Sequence, residues 1–213
     1  MRGRKGVCFA GGSRLRILHV IHSLHGGGAE RQLAILANNT PSNGMTFGLF
    51  CVDASLSEVN ADNVSLLRIN NANNYPWRLV GEIENAIDEF SPDIVHAWLP
   101  PSVSVPALIA AKRKRKITVA SYRNKKIFES WIRYPEFLSN LLLADRIISN
   151  NPVEQSSLLF RLLYRGKNGV TIPNAVDLPS MYYDSWKGPN SEISRILFVG
   201  RLAHQKNCEL LVK

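Results

Sequence analysis

The chain has 213 residues, 45% of them hydrophobic, and a formal net charge of +9. This length accommodates one domain or one and a fraction, because domains usually have roughly 100–200 residues, and the apolar content excludes wholesale disorder. The apolar stretches end before the roughly 20 residues that a membrane-spanning helix needs. Three cysteines without CxxC spacing indicate neither a disulfide framework nor a zinc knuckle, and they fit a reducing compartment.

Short apolar segments that predict strands alternate with amphipathic segments that predict helices. LRILHVI (15–21) predicts a buried strand, and AERQLAILANN (29–39) predicts a helix with Leu33, Leu36 and Ala37 on one face. Further strands are predicted at 45–52, 64–69, 93–98, 117–122, 145–150 and 169–174, and further helices at 77–90, 102–115, 134–144 and 152–163. Because helices join successive strands, we expect a largely parallel sheet covered on both faces. The sequence therefore predicts a doubly wound, Rossmann-like α/β fold.

Four segments are expected along the chain. Residues 1–13 are basic, but their apolar centre is too short for a secretory signal, so we expect a flexible tail. Residues 14–177 form the α/β domain, and a stretch rich in Pro, Ser, Gly and Asn predicts a linker at 178–194. Residues 195–213 open a second domain with one strand and part of a helix. These elements cannot bury a core, so we expect the second domain to be truncated.

The glycine-rich loop after the first strand is the first candidate binding site. Gly27 and Gly28 precede a predicted helix, whose free N–H groups and dipole favour an anion, and glycine lets a ligand approach the backbone closely. Arg31 stands where the dinucleotide fingerprint requires its third glycine, and no Walker A pattern occurs. The failed fingerprint also disfavours a nicotinamide enzyme. The alternative is a tight turn into a helix, with Glu30 only as a first-turn acid.

Polar residues follow later strands at the edge of the sheet where ligands bind in such folds. His96, at the end of the fourth strand, is placed to exchange a hydrogen bond with a sugar hydroxyl, or with a neighbouring loop. Arg123 after the next strand is placed to meet a phosphate, or lies in a solvated loop. Arg201 and Lys206 follow the strand of the second domain, and a guanidinium five residues from an ammonium suits a diphosphate.

The three histidines His19, His22 and His25 form an HxxHxxH run. His19 lies in the predicted first strand, where side chains alternate between the two faces of the sheet. A spacing of three then directs the first two histidines to opposite faces. We therefore expect no metal site here.

A run of five contiguous cations, KRKRK, carries much of the excess positive charge. Its members are Lys112, Arg113, Lys114, Arg115 and Lys116. A local basic patch favours an anionic surface such as lipid headgroups or nucleic acid. The alternative is a solvated helix end, where cations complement the helix dipole. Because the chain lacks the aromatic interleaving and the modules of nucleic-acid-binding proteins, we expect an anionic membrane surface rather than nucleic acid.

Four motifs occur in a fixed order: GGGAER after the first strand, PDIVHAW, IPNAVD and FVGRLAHQKN. Together they resemble a family-4 (retaining) glycosyltransferase of the GT-B fold, in which two Rossmann-like domains face each other across a cleft. The resemblance implies that the N-terminal domain mainly binds the acceptor and the C-terminal domain the nucleotide sugar. It also implies that Gly27 and Gly28 lie near the donor phosphates and the acceptor, and that Glu30 and Arg31 set this loop.

The resemblance assigns catalytic roles to three residues. His96 matches the histidine that contacts the transferred sugar, while Arg201 and Lys206 match the pair that binds the donor diphosphate. In that family this pair and helix dipoles do the work of a metal, so the resemblance implies that no metal cofactor is required. Arg123 and Asn174, the latter in IPNAVD, are expected to bind the donor or the acceptor.

The sequence therefore predicts a hexosyltransferase-type enzyme that transfers a sugar from a nucleotide sugar to a lipid-linked or polysaccharide acceptor. The role expected is cell-envelope glycan biosynthesis, at a cytoplasmic location peripheral to the inner face of the plasma membrane. No two glutamates lie eight positions apart, so the Glu-x7-Glu element of the family's donor domain is missing. We therefore expect the isolated chain to be inactive. The alternative function is a folded acceptor-binding remnant without turnover.

Overall fold

The structure is a computed structural model that describes residues 14–24, 27–39, 44–53, 64–69, 76–98, 100–122, 138–139, 142–150, 169–176 and 198. The chain divides into two compact units, Met1–Val176 and Asp177–Lys213. Apart from Phe198, all described residues belong to the first unit. The predicted helix at 152–163, most of the predicted helix at 134–144, and the second domain apart from Phe198 lie outside the described residues.

Ten regular elements make up the described part of the first unit. The strands are β1 (Leu15–Ile21), β2 (Met45–Cys51), β3 (Leu66–Ile69), β4 (Ile94–Ala97), β5 (Ile117–Tyr122), β6 (Arg146–Ser149) and β7 (Gly169–Thr171). The helices are α1 (Gly28–Asn39), α2 (Pro76–Phe90) and α3 (Pro101–Arg113). All six strand pairs are parallel, and the order is β3-β2-β1-β4-β5-β6-β7. The predicted parallel, doubly wound α/β fold is confirmed.

The strand order creates a switch point between β1 and β4. The chain runs outward from β1 to β3, then crosses back to place β4 beside β1 and runs outward the other way. At such a point the loops that leave neighbouring strands diverge, which opens a crevice at the carboxyl edge of the sheet. The loop after β1, which leads into α1, borders this crevice.

The two faces of the sheet pack against different helices. Leu18 and Val20 of β1 belong to a core cluster with residues of α2 and α3. Ile21 of β1 belongs to a second cluster with Leu33 of α1. Side chains alternate along a strand, so α1 covers the face opposite to α2 and α3. Both faces of β1 are therefore buried, as expected for an inner parallel strand.

The buried face of α1 differs in one residue from the sequence prediction. Leu33, Ala34 and Ala37 are buried, but Leu36 is 41% exposed. Leu33, Ala34 and Ala37 form a stripe along α1 that faces the sheet, and Leu36 lies beside that stripe. Leu36 therefore lies at the border of the contact with the sheet.

Helices α2 and α3 are each followed by a residue in the left-handed backbone conformation. After α2, Ser91 has a left-handed φ of 48° and donates its N–H to the Ile87 oxygen, and the following proline cannot continue the helix. After α3, Arg115 has φ 55°, and Lys116 donates to the oxygen of Ala111 at 2.9 Å. This is the six-to-one bond of a Schellman motif. The basic run is thus the capped end of α3.

Candidate functional site

The glycine-rich loop forms the N-terminus of α1 at the switch point. The N–H of Arg31 donates to the Gly27 oxygen at 3.0 Å, which makes Gly27 the cap of the helix. A Cβ on Gly27 would lie 1.9 Å from a carboxylate oxygen of Glu30, whereas a Cβ on Gly28 would meet nothing within 4 Å. The Glu30 side chain therefore folds back over Gly27. The first turn of α1 offers open backbone at Gly28 next to a carboxylate.

A second acid lies at the end of the neighbouring strand β2. The Cys51 thiol donates to the backbone oxygen of Asp53 at 3.0 Å. Burial raises the pKa of Cys51 to about 11, and the nearby charges of Asp53 and Glu30 add to the increase. The thiol therefore stays protonated at neutral pH and is no nucleophile. The same two carboxylates give this part of the carboxyl edge hydrogen-bond acceptors for ligand hydroxyls.

His96 lies in a buried polar cluster on the α1 face of the sheet. It is the third of the four residues of β4 and is 7% exposed. Its Nε2 lies 2.8 Å from the Ser121 Oγ on β5. The sequence predicts His96 at the ligand-binding edge. The structure places its ring one residue inside that edge, hydrogen-bonded to a neighbouring strand.

His19 and Trp98 complete this cluster. His19 is the register partner of His96 across β1 and β4, and its Nδ1 accepts the indole N–H of Trp98 at 3.1 Å. The His19 ring stacks on Phe47 with centroids 4.9 Å apart. Burial lowers the pKa of His19 to about 3, so the ring is neutral. Since Nδ1 accepts, Nε2 carries the proton, and it has no partner among the described residues.

The sequence analysis did not identify His19, Trp98 or Ser121 as neighbours of His96. Period-two alternation along PDIVHAW does place His96 and Trp98 on one face. Their neighbours on β1 and β5 follow only from the pairing register, which joins residues 77 and 25 positions apart. That register was the missing signal.

A cavity of about 460 Å³ opens beside His96 on the same face. Its described walls come from the length of α1, from several strands of the sheet and from the segment after β7. They are formed by Gln32, Ile35, Leu36, Asn39, Met45, His96, Trp98, Ile148, Ile172, Pro173 and Ala175. Apolar side chains dominate, and this volume lies within the range of about 300–1,000 Å³ of small-molecule sites.

The segment after β7 brings Asn174 to the same edge. The side-chain amide of Gln32 on α1 donates to the Ala175 oxygen at 2.7 Å and accepts the Ala175 N–H at 2.6 Å. Asn174 is exposed, and its Oδ1 lies 3.4 Å from the Nδ2 of Asn150, which follows β6. The structure therefore assembles the glycine loop, the cavity beside His96 and Asn174 on one unit. Arg123, Arg201 and Lys206 lie outside the described residues.

The basic run at 112–116 does not present five unpaired charges. Lys112 pairs with Asp145, Arg113 with Glu84 at 3.4 Å, and Lys114 with Asp88. Arg115 and Lys116 have no ion pair to any residue that the structure describes. The run precedes β5, so it lies at the amino edge of the sheet, opposite to the glycine loop. Much of its charge serves contacts within the protein.

The described residues lack a metal-binding cluster and a helix that could cross a membrane. They contain no group of three or more His, Cys, Asp or Glu that could hold a metal ion. Within the same part of the chain, none of the helices combines the length and apolar character that crossing a membrane requires.

Solved structures with the same fold include several UDP-GlcNAc 2-epimerases and S. aureus MnaA. The Neisseria meningitidis UDP-GlcNAc 2-epimerase bound to UDP-GlcNAc has a TM-score of 0.57 at 12% identity, covering 75% of this chain and 47% of that chain. S. aureus MnaA in a co-structure with UDP has a TM-score of 0.58 at 13% identity, covering 75% and 45%. The Methanocaldococcus jannaschii UDP-GlcNAc 2-epimerase has a TM-score of 0.56 at 8% identity, and the match covers 76% of this chain and 46% of that chain. The chain spans less than half the length of these proteins.

The sequence itself gives the family. No curated protein matches it significantly. The family model for Glycosyltransferase Family 4, however, matches residues 26–179. This range begins in the glycine loop and includes α1, His96 and Asn174. The chain belongs to Glycosyltransferase Family 4.

Proposed function

We propose that this chain supplies the acceptor side of a retaining, hexosyltransferase-type glycosyltransferase of cell-envelope glycan biosynthesis. The observation that carries the proposal is the carboxyl edge of the sheet. There, Gly28 and the acidic first turn of α1 lie together, and the apolar cavity runs from Gln32 along α1 on the same face; all of them fall within the range that matches the family. The structural neighbours with UDP-GlcNAc and UDP support a nucleotide sugar as the donor.

The chemistry of the edge favours a lipid-linked acceptor. Glu30 folds over Gly27 beside the open backbone at Gly28, so a sugar hydroxyl finds both acceptors and donors there. The adjoining cavity is mostly apolar, and Leu36 and Ile172 in its wall are 41% and 49% exposed. A lipid chain in this cavity would cover both side chains. The acceptor's sugar would bind at the loop, and its lipid at the part of the cavity beside Leu36 and Ile172, which leaves the part beside His96 to the transferred sugar.

Transfer also needs groups that stabilise the departing nucleotide. In this proposal, Arg201 and Lys206 bind the donor diphosphate, and their charges take the place of a metal ion. His96 contacts the transferred sugar, while Arg123 and Asn174 bind the donor or the acceptor. In a polypeptide that includes a donor domain, Arg201→Ala or Lys206→Ala should lower turnover by about 10²-fold or more. His96→Ala should lower turnover with less effect on nucleotide affinity.

Ligand binding to the 213-residue chain tests the acceptor assignment. The probes are a short-chain polyprenyl diphosphate-linked N-acetylglucosamine and UDP-GlcNAc, compared by isothermal titration calorimetry. We expect measurable binding of the lipid-linked sugar and weak or undetectable binding of UDP-GlcNAc. Leu36→Asp puts a charge in the cavity wall and should therefore weaken binding of the lipid-linked sugar. The control is Trp77→Asp, because Trp77 is 76% exposed and does not line the cavity. Tight binding of UDP-GlcNAc without binding of the lipid-linked sugar would contradict the proposal.

The basic run supports a peripheral location at the inner face of the plasma membrane. Because three of its cations are paired, we assign membrane attraction to Arg115 and Lys116. At about 1 kcal/mol per basic residue, the pair would raise vesicle affinity by roughly 30-fold. Arg115→Gln with Lys116→Gln should abolish most binding to phosphatidylglycerol vesicles at low salt, while Lys112→Gln should have a smaller effect. Unchanged binding by the double variant would mean that the run is only a solvated helix end.

A further inference from the structure

Few of the side-chain atoms in the segment 172–176 are buried. All five of its residues are exposed. The Ile172 N–H donates to the Ser149 oxygen at 2.8 Å, which continues the pairing with β6 one residue beyond β7. After that residue, Pro173 has no N–H to donate. The segment therefore needs anchors other than the sheet.

Gln32 supplies such an anchor. Its amide donates to the Ala175 oxygen at 2.7 Å and accepts the Ala175 N–H at 2.6 Å, across 143 residues of sequence. A primary amide that bonds both polar groups of one residue imitates a neighbouring strand and fixes orientation as well as distance. Asparagine is one methylene shorter, and an ionised glutamate has no donor. Gln32 lies four residues, about one turn, after the first residue of α1.

We infer that Gln32 joins the segment 172–176 to α1, so that both move as one body. The segment therefore belongs to the same rigid part of the first unit as α1, although it lies beyond the end of β7. Asn174 is consequently held in a fixed place relative to the glycine loop. This inference does not depend on the proposed function, because it rests only on two hydrogen bonds and the exposure of the segment.

Amide hydrogen exchange measured by NMR on the full chain tests this inference. In the wild type, the Ala175 amide should be protected although the residue is exposed. Gln32→Ala should accelerate its exchange by about tenfold or more, because both bonds to the segment are lost. Gln32→Glu retains an acceptor for the Ala175 N–H but not the donor, and should give an intermediate rate. The matched control is Asn39→Ala, since the Asn39 side chain bonds only to the Ile35 oxygen of its own helix among the described contacts.

The Ile172 amide serves as the internal reference. Its partner is the Ser149 oxygen, so its exchange should not change in Gln32→Ala if the effect is local. An unprotected Ala175 amide in the wild type, or an unchanged rate in Gln32→Ala, would overturn the inference. Equal acceleration at Ile172 and Ala175 would also overturn it, because Gln32 would then contribute to overall stability and not to a local anchor.

Discussion

Lowering the pH from 7.5 to 5.0 should destabilise the fold through His19. This residue is 2% exposed, and burial lowers its pKa from the ordinary 6.5 to about 3. Below pH 6.5 the unfolded chain binds a proton at His19 that the folded chain does not bind. The free energy of unfolding therefore falls as the pH drops through 6.5, and it continues to fall until about pH 3.

The loss of unfolding free energy is set by the difference between the assay pH and 6.5, the pKa of His19 in the unfolded chain. At pH 5.0 this difference is about 1.5 pH units, which lowers the free energy of unfolding by about 2 kcal/mol relative to pH 7.5. This loss hardly depends on the pKa of His19 in the folded chain, provided that this pKa lies well below 5. Asp145, whose pKa is lowered mainly by hydrogen bonds from Lys112 and Thr118 that outweigh desolvation, adds to acid sensitivity only below its ordinary value. Asp145 therefore contributes little between pH 7.5 and 5.0, and groups other than His19 are common to the two proteins compared below.

Urea denaturation at several pH values measures this loss. His19→Asn is the comparison variant, because an amide is neutral throughout the window and its oxygen can still accept the Trp98 indole N–H. The variant should be less stable at pH 7.5, since it loses the stacking on Phe47, but its stability should decline about 2 kcal/mol less towards pH 5.0. The other histidines are common to both proteins. Equal pH dependence in both would refute a buried, neutral His19.

Three further substitutions test the packing and the turns. Gly48→Ala would place a Cβ 2.8 Å from the Phe90 ring, and urea denaturation should give a loss of about 1–3 kcal/mol; an unchanged stability would mean that this face has room. Arg115→Gly removes a side chain from a left-handed residue with φ 55° and should stabilise by about 0.5–1 kcal/mol, measured as a raised Tm; a lowered Tm would contradict the Schellman geometry. Asp145→Ala leaves the Thr118 N–H without its carboxylate acceptor, while the Thr118 hydroxyl keeps the Leu143 oxygen, and should cost about 1–3 kcal/mol in unfolding free energy; wild-type stability would mean that this contact is dispensable.

The sequence predicted the described elements well because their patterns are local. β1 and β5 have the predicted bounds, and α2 ends before Ser91-Pro92 as predicted. β7 is shorter than the predicted 169–174 and ends at Thr171, because Pro173 cannot donate to the ladder. Periodicity thus locates an element, while hydrogen-bonding capacity decides where it ends.

The candidate site was only partly predictable. The sequence placed Gly27 and Gly28 correctly at a helix start, because that position depends on neighbouring residues. It could not show that His96 bonds Ser121, or that Gln32 bonds Ala175, since these contacts depend on strand register and on the docking of α1. The basic run illustrates the same limit, because its acidic partners come from α2 and from the residue before β6.

The most direct test of the proposed function is the release of free nucleoside diphosphate from a panel of nucleotide sugars. It is measured with a lipid-linked acceptor, on the 213-residue polypeptide and on one extended past Lys213 by a donor domain that carries a Glu-x7-Glu element. We predict acceptor-dependent release and a retained anomeric configuration for the extended polypeptide, and negligible release for the shorter one, because positioning of donor and acceptor accounts for several kcal/mol of the barrier. Robust turnover by the 213-residue polypeptide, or no turnover of any donor by the extended one, would contradict the account.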